Sequence, residues 1–189
     1  DLPKGSGRFD LAIALGILAA SGQLDSRQLD SYEFLGELAL NGALRPVLGV
    51  LPAAMRARDA GRTLVVPRAN AQEASLVSGV SVLAADDLLA VFAHLQGQHL
   101  LQSKDESCTP APRQYPDLAD VNGQAHARRA LEIAAAGAHS LLLVGPPGTG
   151  KTMLASRLPG ILPAMTEQEA LESASVQSIC QHGFDPANW

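Results

Sequence analysis

Eight residues, Gly145-Pro146-Pro147-Gly148-Thr149-Gly150-Lys151-Thr152, constrain this chain more than any others. They fill every fixed position of G-x-x-x-x-G-K-[ST], the phosphate-binding loop that joins a strand to a helix. The spacing follows from the chemistry. Glycines let backbone N–H groups turn inward around phosphate oxygens, and a helix starting near Lys151 aims its positive end at them. The Lys151 ammonium reaches the β and γ phosphates, and the Thr152 hydroxyl ligates magnesium. The alternative is a chance glycine loop, and the flanks argue against it. The apolar run Leu141-Leu142-Leu143-Val144 stands directly before the loop, and Leu154 and Leu158 follow at helical spacing. ATP and Mg are therefore expected ligands, with Gly145, Pro146, Pro147, Gly148, Thr149, Gly150, Lys151 and Thr152 as the binding residues.

The remaining sequence sets limits. A chain of 189 residues has room for one large domain or two small ones. With 47% apolar but only 4% aromatic residues, its core is built from Ala, Leu, Val and Ile. A net charge of −5 argues against phosphate-backbone binding by the chain as a whole. Cys108 and Cys180 fit neither a metal motif nor a disulfide framework, which points to a reducing compartment. The histidines His94, His99, His126, His139 and His182 have no metal spacing. The longest apolar run, Leu11 to Ala20, is about half of the roughly twenty residues a membrane span needs. A cytoplasmic protein with no membrane partner is expected. A start at Asp1 and an end at Trp189 suggest a piece of a longer protein.

Patterning predicts a buried Ala-rich helix from about Phe9 to Gly22 and a strand over Tyr32 to Ala39. A type I′ turn at Asn41-Gly42 leads to a returning strand, Leu44 to Val47. A helix over Leu51 to Ala60 ends at Gly61. Thr63 to Pro67 and Val80 to Leu83 read as strands around a helical turn at Asn70 to Leu76, and Asp86 caps a helix reaching about Leu95. Residues 98–116, rich in Gln, Ser and Pro, read as a linker. Beyond it lie a helix from Gly123 to Ala136, capped by Asn122 or Asp120, a strand from Ser140 to Val144 and a helix from Lys151 to Leu158. Thr166 with Glu169 forms a capping box for a helix to about Ala174, with Glu167, Glu169 and Glu172 on a solvated face. One strand cannot make the parallel sheet that such a loop requires. The second half is therefore expected to be poorly ordered or held by unusual contacts, and to bind ATP weakly. No acidic strand end follows the loop to organise magnesium and water, so no catalytic residue is assigned.

Asp117-Leu118-Ala119-Asp120-Val121-Asn122-Gly123-Gln124 resembles the segment that opens many AAA+ ATPase modules. The resemblance implies that Val121, Gly123 and Gln124 lie along the adenine. The run from Gly137 to Ala155, with Arg157-Leu158-Pro159-Gly160-Ile161-Leu162-Pro163, resembles the magnesium-chelatase branch of that superfamily. The first half is similar to the proteolytic domain of Lon proteases through Leu2-Pro3-Lys4, Gly36-Glu37-Leu38-Ala39-Leu40-Asn41-Gly42 and Arg45-Pro46-Val47. That alignment puts Arg8 where Lon has its serine and Leu51 where it has its lysine; neither can act as nucleophile or base. Lys4 and Ser6 sit off the aligned positions and read as a polar turn.

Together these pieces resemble the YifB/ComM family. The resemblance implies a ribosomal-S5-domain-2-like (Lon-protease-like) α/β domain at 1–97, lacking its opening strands and its peptidase activity. It further implies a linker at 98–116 and the truncated start of a P-loop AAA+ α/β domain at 117–189. The function it implies is a motor ATPase in a homo-oligomeric ring, a hexamer, acting on DNA in competence or recombination as a helicase or branch-migration enzyme. Its DNA contacts and arginine finger would lie outside these residues. Metal insertion of the magnesium-chelatase type, ATP-dependent proteolysis and a plain nucleotide-binding interaction module are the alternatives. The Lon-like half argues against the first, and Arg8 and Leu51 against the second.

Overall fold

The computed structural model describes residues 7–102, 114–180 and 184–186. They fall into two compact units, one made of residues 1–110 with 167–189 and one of residues 111–166. The stretch Leu2-Pro3-Lys4, Ser6, Cys108, His182 and most of the expected linker lie outside the described residues.

The first unit opens with α1 (Asp10–Ala20) and β1 (Tyr32–Phe34), then the short strands β2 (Glu37–Leu38) and β3 (Leu44–Arg45). It continues with α2 (Val50–Asp59), β4 (Thr63–Pro67), α3 (Ala71–Ala74), β5 (Val82–Ala85) and α4 (Leu88–Leu95). The second unit holds α5 (Ala125–Ala136) and α6 (Lys151–Ala155). The helix α7 (Glu167–Ile179) belongs to the first unit.

A parallel sheet in the order β1-β4-β5 centres the first unit. Strand β4 is buried along almost its whole length because both its faces are covered. Leu64 and Val66 join Val82 and Ala84 under α2, α3 and α7. Val65 joins Leu83 and Ala85 on the other face, against Leu11 and Leu15 of α1 and Val91 and Leu95 of α4. Each such aliphatic side chain taken out of water contributes about 1.5–3 kcal/mol before entropy is counted.

Several local expectations shift. The single strand expected over Tyr32 to Ala39 is two, since β1 pairs with β4 while β2 pairs with β3. The switch falls at Gly36, where a Cβ would stand 2.9 Å from Leu44 Cδ2. The hairpin turn is not type I′, which needs two successive positive φ values. Only Gly42 has one (83°), with its N–H donated to the Ala39 carbonyl at 2.9 Å. The cap of α4 is Asp87, whose carboxylate accepts the Ala90 N–H at 2.7 Å. Asp86 instead pairs with Arg68 at 2.7 Å. Helix α1 is only half buried: Ile13 (59% exposed) and Ile17 (63%) face outward. Helix α5 starts at Ala125 behind Gln124, with neither Asn122 nor Asp120 capping it. Helix α6 stops at Ala155, and the expected remainder is a turn followed by a 3-10 helix over Leu158–Ile161. Helix α7 runs five residues past Ala174, because Leu171, Ala174 and Ser178 form a buried stripe on the α2 side of the core.

A buried polar chain ties these pieces together. Asn70 grips the Val47 backbone from both sides, accepting its N–H at 2.9 Å and donating to its carbonyl at 3.0 Å. The same amide donates to Glu73, which also accepts the Ser178 hydroxyl at 2.5 Å. Desolvation raises the Glu73 pKa above its ordinary value, against the lowering effect of the bonds from Ser178, Asn70 and the Leu51 N–H. On the opposite face, His94 Nδ1 accepts the Leu101 N–H at 3.1 Å, and its other nitrogen meets the Tyr32 hydroxyl at 3.2 Å. Burial lowers the His94 pKa.

Two predictions follow from these contacts. Asn70→Ala strands the Val47 groups and removes a partner of Glu73, so it destabilises the chain by about 3 kcal/mol in urea unfolding. Protonating His94 costs the Leu101 bond. Because its folded pKa lies below the unfolded 6.5, its contribution is complete above that pH and is lost as pH falls through the window beneath it. Thermal melting of His94→Gln should therefore lose part of the pH dependence seen in the parent chain below pH 6.5.

Candidate nucleotide site

The eight-residue loop sits in the second unit, packed on a small core of Leu118, Val121, Leu131 and Leu154. Leu154 is the inward residue of α6, so its burial orients the helix that begins at Lys151. Gly148 and Gly150 take positive φ values of 84° and 80°, which a side chain adopts only under strain. Gly150 is the residue before α6, and the Leu154 N–H donates to its carbonyl at 2.9 Å.

The loop closes on itself. Lys151 Nζ donates to the carbonyls of Gly145 at 2.8 Å and Pro146 at 2.7 Å, and meets Thr149 Oγ1 at 3.3 Å. Thr149 Oγ1 donates to the Pro146 carbonyl at 2.9 Å. The ammonium thus lies across the mouth of the loop on oxygens of its own backbone. A phosphate would offer it stronger, charged acceptors. Gly145, Pro146, Pro147, Gly148, Thr149 and Thr152 are all exposed, so the approach to the loop is open. A loop of inward-turning glycines, a lysine at its mouth and a threonine hydroxyl next to it is a donor set that suits a polyphosphate with magnesium.

The three residues expected along the base divide. Val121 is buried in the core, and its carbonyl accepts a bond from Arg128 Nη1 at 3.3 Å. Gly123 has φ 73°. Gln124, also left-handed at φ 50°, stands one residue before α5 and donates its side-chain amide to the Thr149 carbonyl at 3.2 Å. Two positioning residues escaped the sequence reading. Arg128 clasps the turn before α5, and Arg157 donates to the Asp117 carbonyl at 3.1 Å. Arg128 showed in the sequence only as a basic residue on the helix before the motif, and Arg157 only as the first residue of the run Arg157 to Pro163.

The expected strand before the loop is not formed. Residues 141–144 pair with no other strand among the described residues, and Leu142 and Val144 are 85% and 84% exposed. Only Leu143 packs toward the core.

In the first unit, Leu51 is fully buried in the core. Arg8 donates to the Gly49 carbonyl at 3.4 Å, with its guanidinium 5.1 Å from the centre of the Phe9 ring. No helix among the described residues is long and apolar enough to cross a membrane.

A family model described as magnesium chelatase, subunit ChlI, matches residues 117–189. A second, described as subunit ChlI of Mg-chelatase, matches residues 1–70. Competence protein ComM of Haemophilus influenzae is 53% identical over the whole chain, which covers 38% of that relative. Protein YifB of Escherichia coli is 51% identical over 95% of the chain and 35% of its own length. Protein Mb2921c of Mycobacterium bovis is 45% identical over 94% of the chain and 36% of its own length. The chain thus spans a little over a third of the curated relatives it matches. Identity of 53% over the whole chain and 51% over 95% of it shows that the chain belongs to the YifB/ComM family of magnesium-chelatase-like proteins.

Proposed function

We propose that this chain binds ATP with magnesium at Gly145 to Thr152, as the nucleotide-binding part of an AAA+ motor ATPase that acts on DNA. The observation that carries the reading is the phosphate loop, which leads into α6 with Lys151 folded across its mouth. Lys151 exchanges two neutral carbonyls for phosphate oxygens, and the glycines supply the backbone N–H groups around them. Thr152 is the residue to hold magnesium, which when bound neutralises phosphate charge. Val121, Gly123 and Gln124 flank the site on the base side. Hydrolysis itself falls to residues beyond these, on an acidic strand end and an arginine finger, within a homo-oligomeric ring, a hexamer by family resemblance. The domain plan is the Lon-like unit over 1–97, the linker 98–116 and the start of the ATPase module over 117–189.

A relative named as a competence protein supports work on DNA strands over metal insertion. The magnesium-chelatase description of both family models keeps metal insertion as the second reading. DNA-stimulated ATP hydrolysis in a chain of the relatives' full length separates the two. Proteolysis has no support, since Leu51 carries no base and Arg8 no nucleophile.

Lys151→Ala should abolish detectable ATP binding at that length, because it removes the cation facing the β and γ phosphates. An unchanged titration would remove Lys151 from the site. In the 189-residue chain itself, the amides of residues 141–144 should exchange with solvent at nearly unprotected rates. ATP affinity should be correspondingly low, since a loop organised only part of the time binds only in that fraction.

A further inference from the structure

The best-defined contact between the segment before α5 and the phosphate loop is made by Gln124. Its side-chain amide donates to the Thr149 carbonyl at 3.2 Å. The same nitrogen stands 3.1 Å from where a Cβ on Gly150 would be, so it packs on the backbone of the residue just before Lys151. Gln124 reaches this place from an unfavourable backbone. It is one of two non-glycine residues with positive φ among those described, at φ 50° and ψ 40°. A left-handed conformation is a cost that persists only where the surroundings enforce it. Here they do: Gly123 precedes it at φ 73°, Arg128 holds the Val121 carbonyl, and the Arg128 N–H takes the Gln124 carbonyl at 3.0 Å as the first turn of α5.

We propose that Gln124 is a positioning residue for the phosphate loop, fixing the Thr149–Gly150 peptide through the Thr149 carbonyl, and not a reader of the base. The proposal rests on the ATP reading of the loop. A trans peptide holds its C=O and N–H antiparallel. A Thr149 carbonyl tied to Gln124 therefore turns the Gly150 N–H to the side away from α5. One orientation of that donor is kept without any ligand, so less ordering remains for the moment of binding. Gly150 itself must be glycine for two reasons: its positive φ and the Gln124 amide against its α-carbon.

The test uses a chain of the relatives' full length and titrates MgATP, MgADP and MgGTP. In Gln124→Ala and in the equally long Gln124→Glu, which loses the donor, affinity for all three nucleotides should fall by the same factor, about tenfold. The preference for ATP over GTP should stay as in the parent. Gln124→Gly relieves the left-handed backbone but still loses the amide, so it should weaken nucleotide binding without lowering the melting temperature. A purely structural role would move melting and binding down together, and that outcome overturns the proposal. Unchanged affinity in Gln124→Ala overturns it too. So does loss of the ATP over GTP preference with GTP affinity intact, which would make Gln124 a base reader. If the parent protein bound no nucleotide at all, the loop reading would fall first, a result distinct from any of these.

Discussion

The first unit depends on a carboxylate set almost wholly inside it, Glu73, which is 7% exposed. Glu73 lies on a four-residue helix, too short to stand by itself, and gathers bonds from three separate parts of the chain: Asn70, the Leu51 N–H at the start of α2, and Ser178 on α7. Desolvating a carboxyl group is unfavourable unless its lone pairs are filled. The consequence is mutual constraint: each donor is held in place because its absence leaves the others on an incompletely satisfied acceptor. The Gly49 N–H adds a backbone bond to the Ser178 carbonyl at 2.9 Å, so α7 is fastened at both a side chain and a main-chain oxygen. Apolar burial supplies most of the attraction between α2 and α7, and the polar chain fixes their register.

The second unit is organised on a smaller scale. Its core of four buried aliphatic residues seats the helix after the phosphate loop and the turn before α5, but leaves the apolar strand segment before the loop uncovered. Leu142 and Val144 carry the two-faced apolar character of a central parallel strand with no strand beside them among the described residues. The loop answers the same shortage by turning inward on itself. Lys151 donates to the Gly145 and Pro146 carbonyls, and these bonds hold the loop closed in the absence of a ligand.

What could be read from the sequence follows from how local each cause is. Strand β4 was legible because Leu64-Val65-Val66 is apolar on both faces, and the phosphate loop because its glycines and lysine are fixed by chemistry within eight residues. The cap of α4 was assigned to Asp86 because two adjacent aspartates look alike until one is drawn away by Arg68, eighteen residues earlier. The end of α7 was set too early because its last turn is held by Glu73, over a hundred residues away. The splitting of the first strand at Gly36 depended on β3, and residues 141–144, apolar as they are, pair with no strand among the described residues. In the candidate site, Lys151 and Thr152 are proposed from the motif, while the contacts of Arg128, Arg157 and the Gln124 side chain needed the folded geometry.

Helix α7 belongs to the first unit, yet the whole of the second unit separates it from the rest of that unit in the chain. During synthesis, therefore, the first unit emerges with the α2 face bare and Glu73 short of its hydroxyl donor. It stays so until residues 111–178 have also left the ribosome, roughly 3–14 s later at about 5–20 residues per second. The half-finished unit has a sheet covered on both faces, with only the side of α2 that receives Leu171 and Ala174 still open. The order of manufacture thus leaves the polar chain of the first unit incomplete over that interval, and makes Ser178 the residue whose arrival closes it.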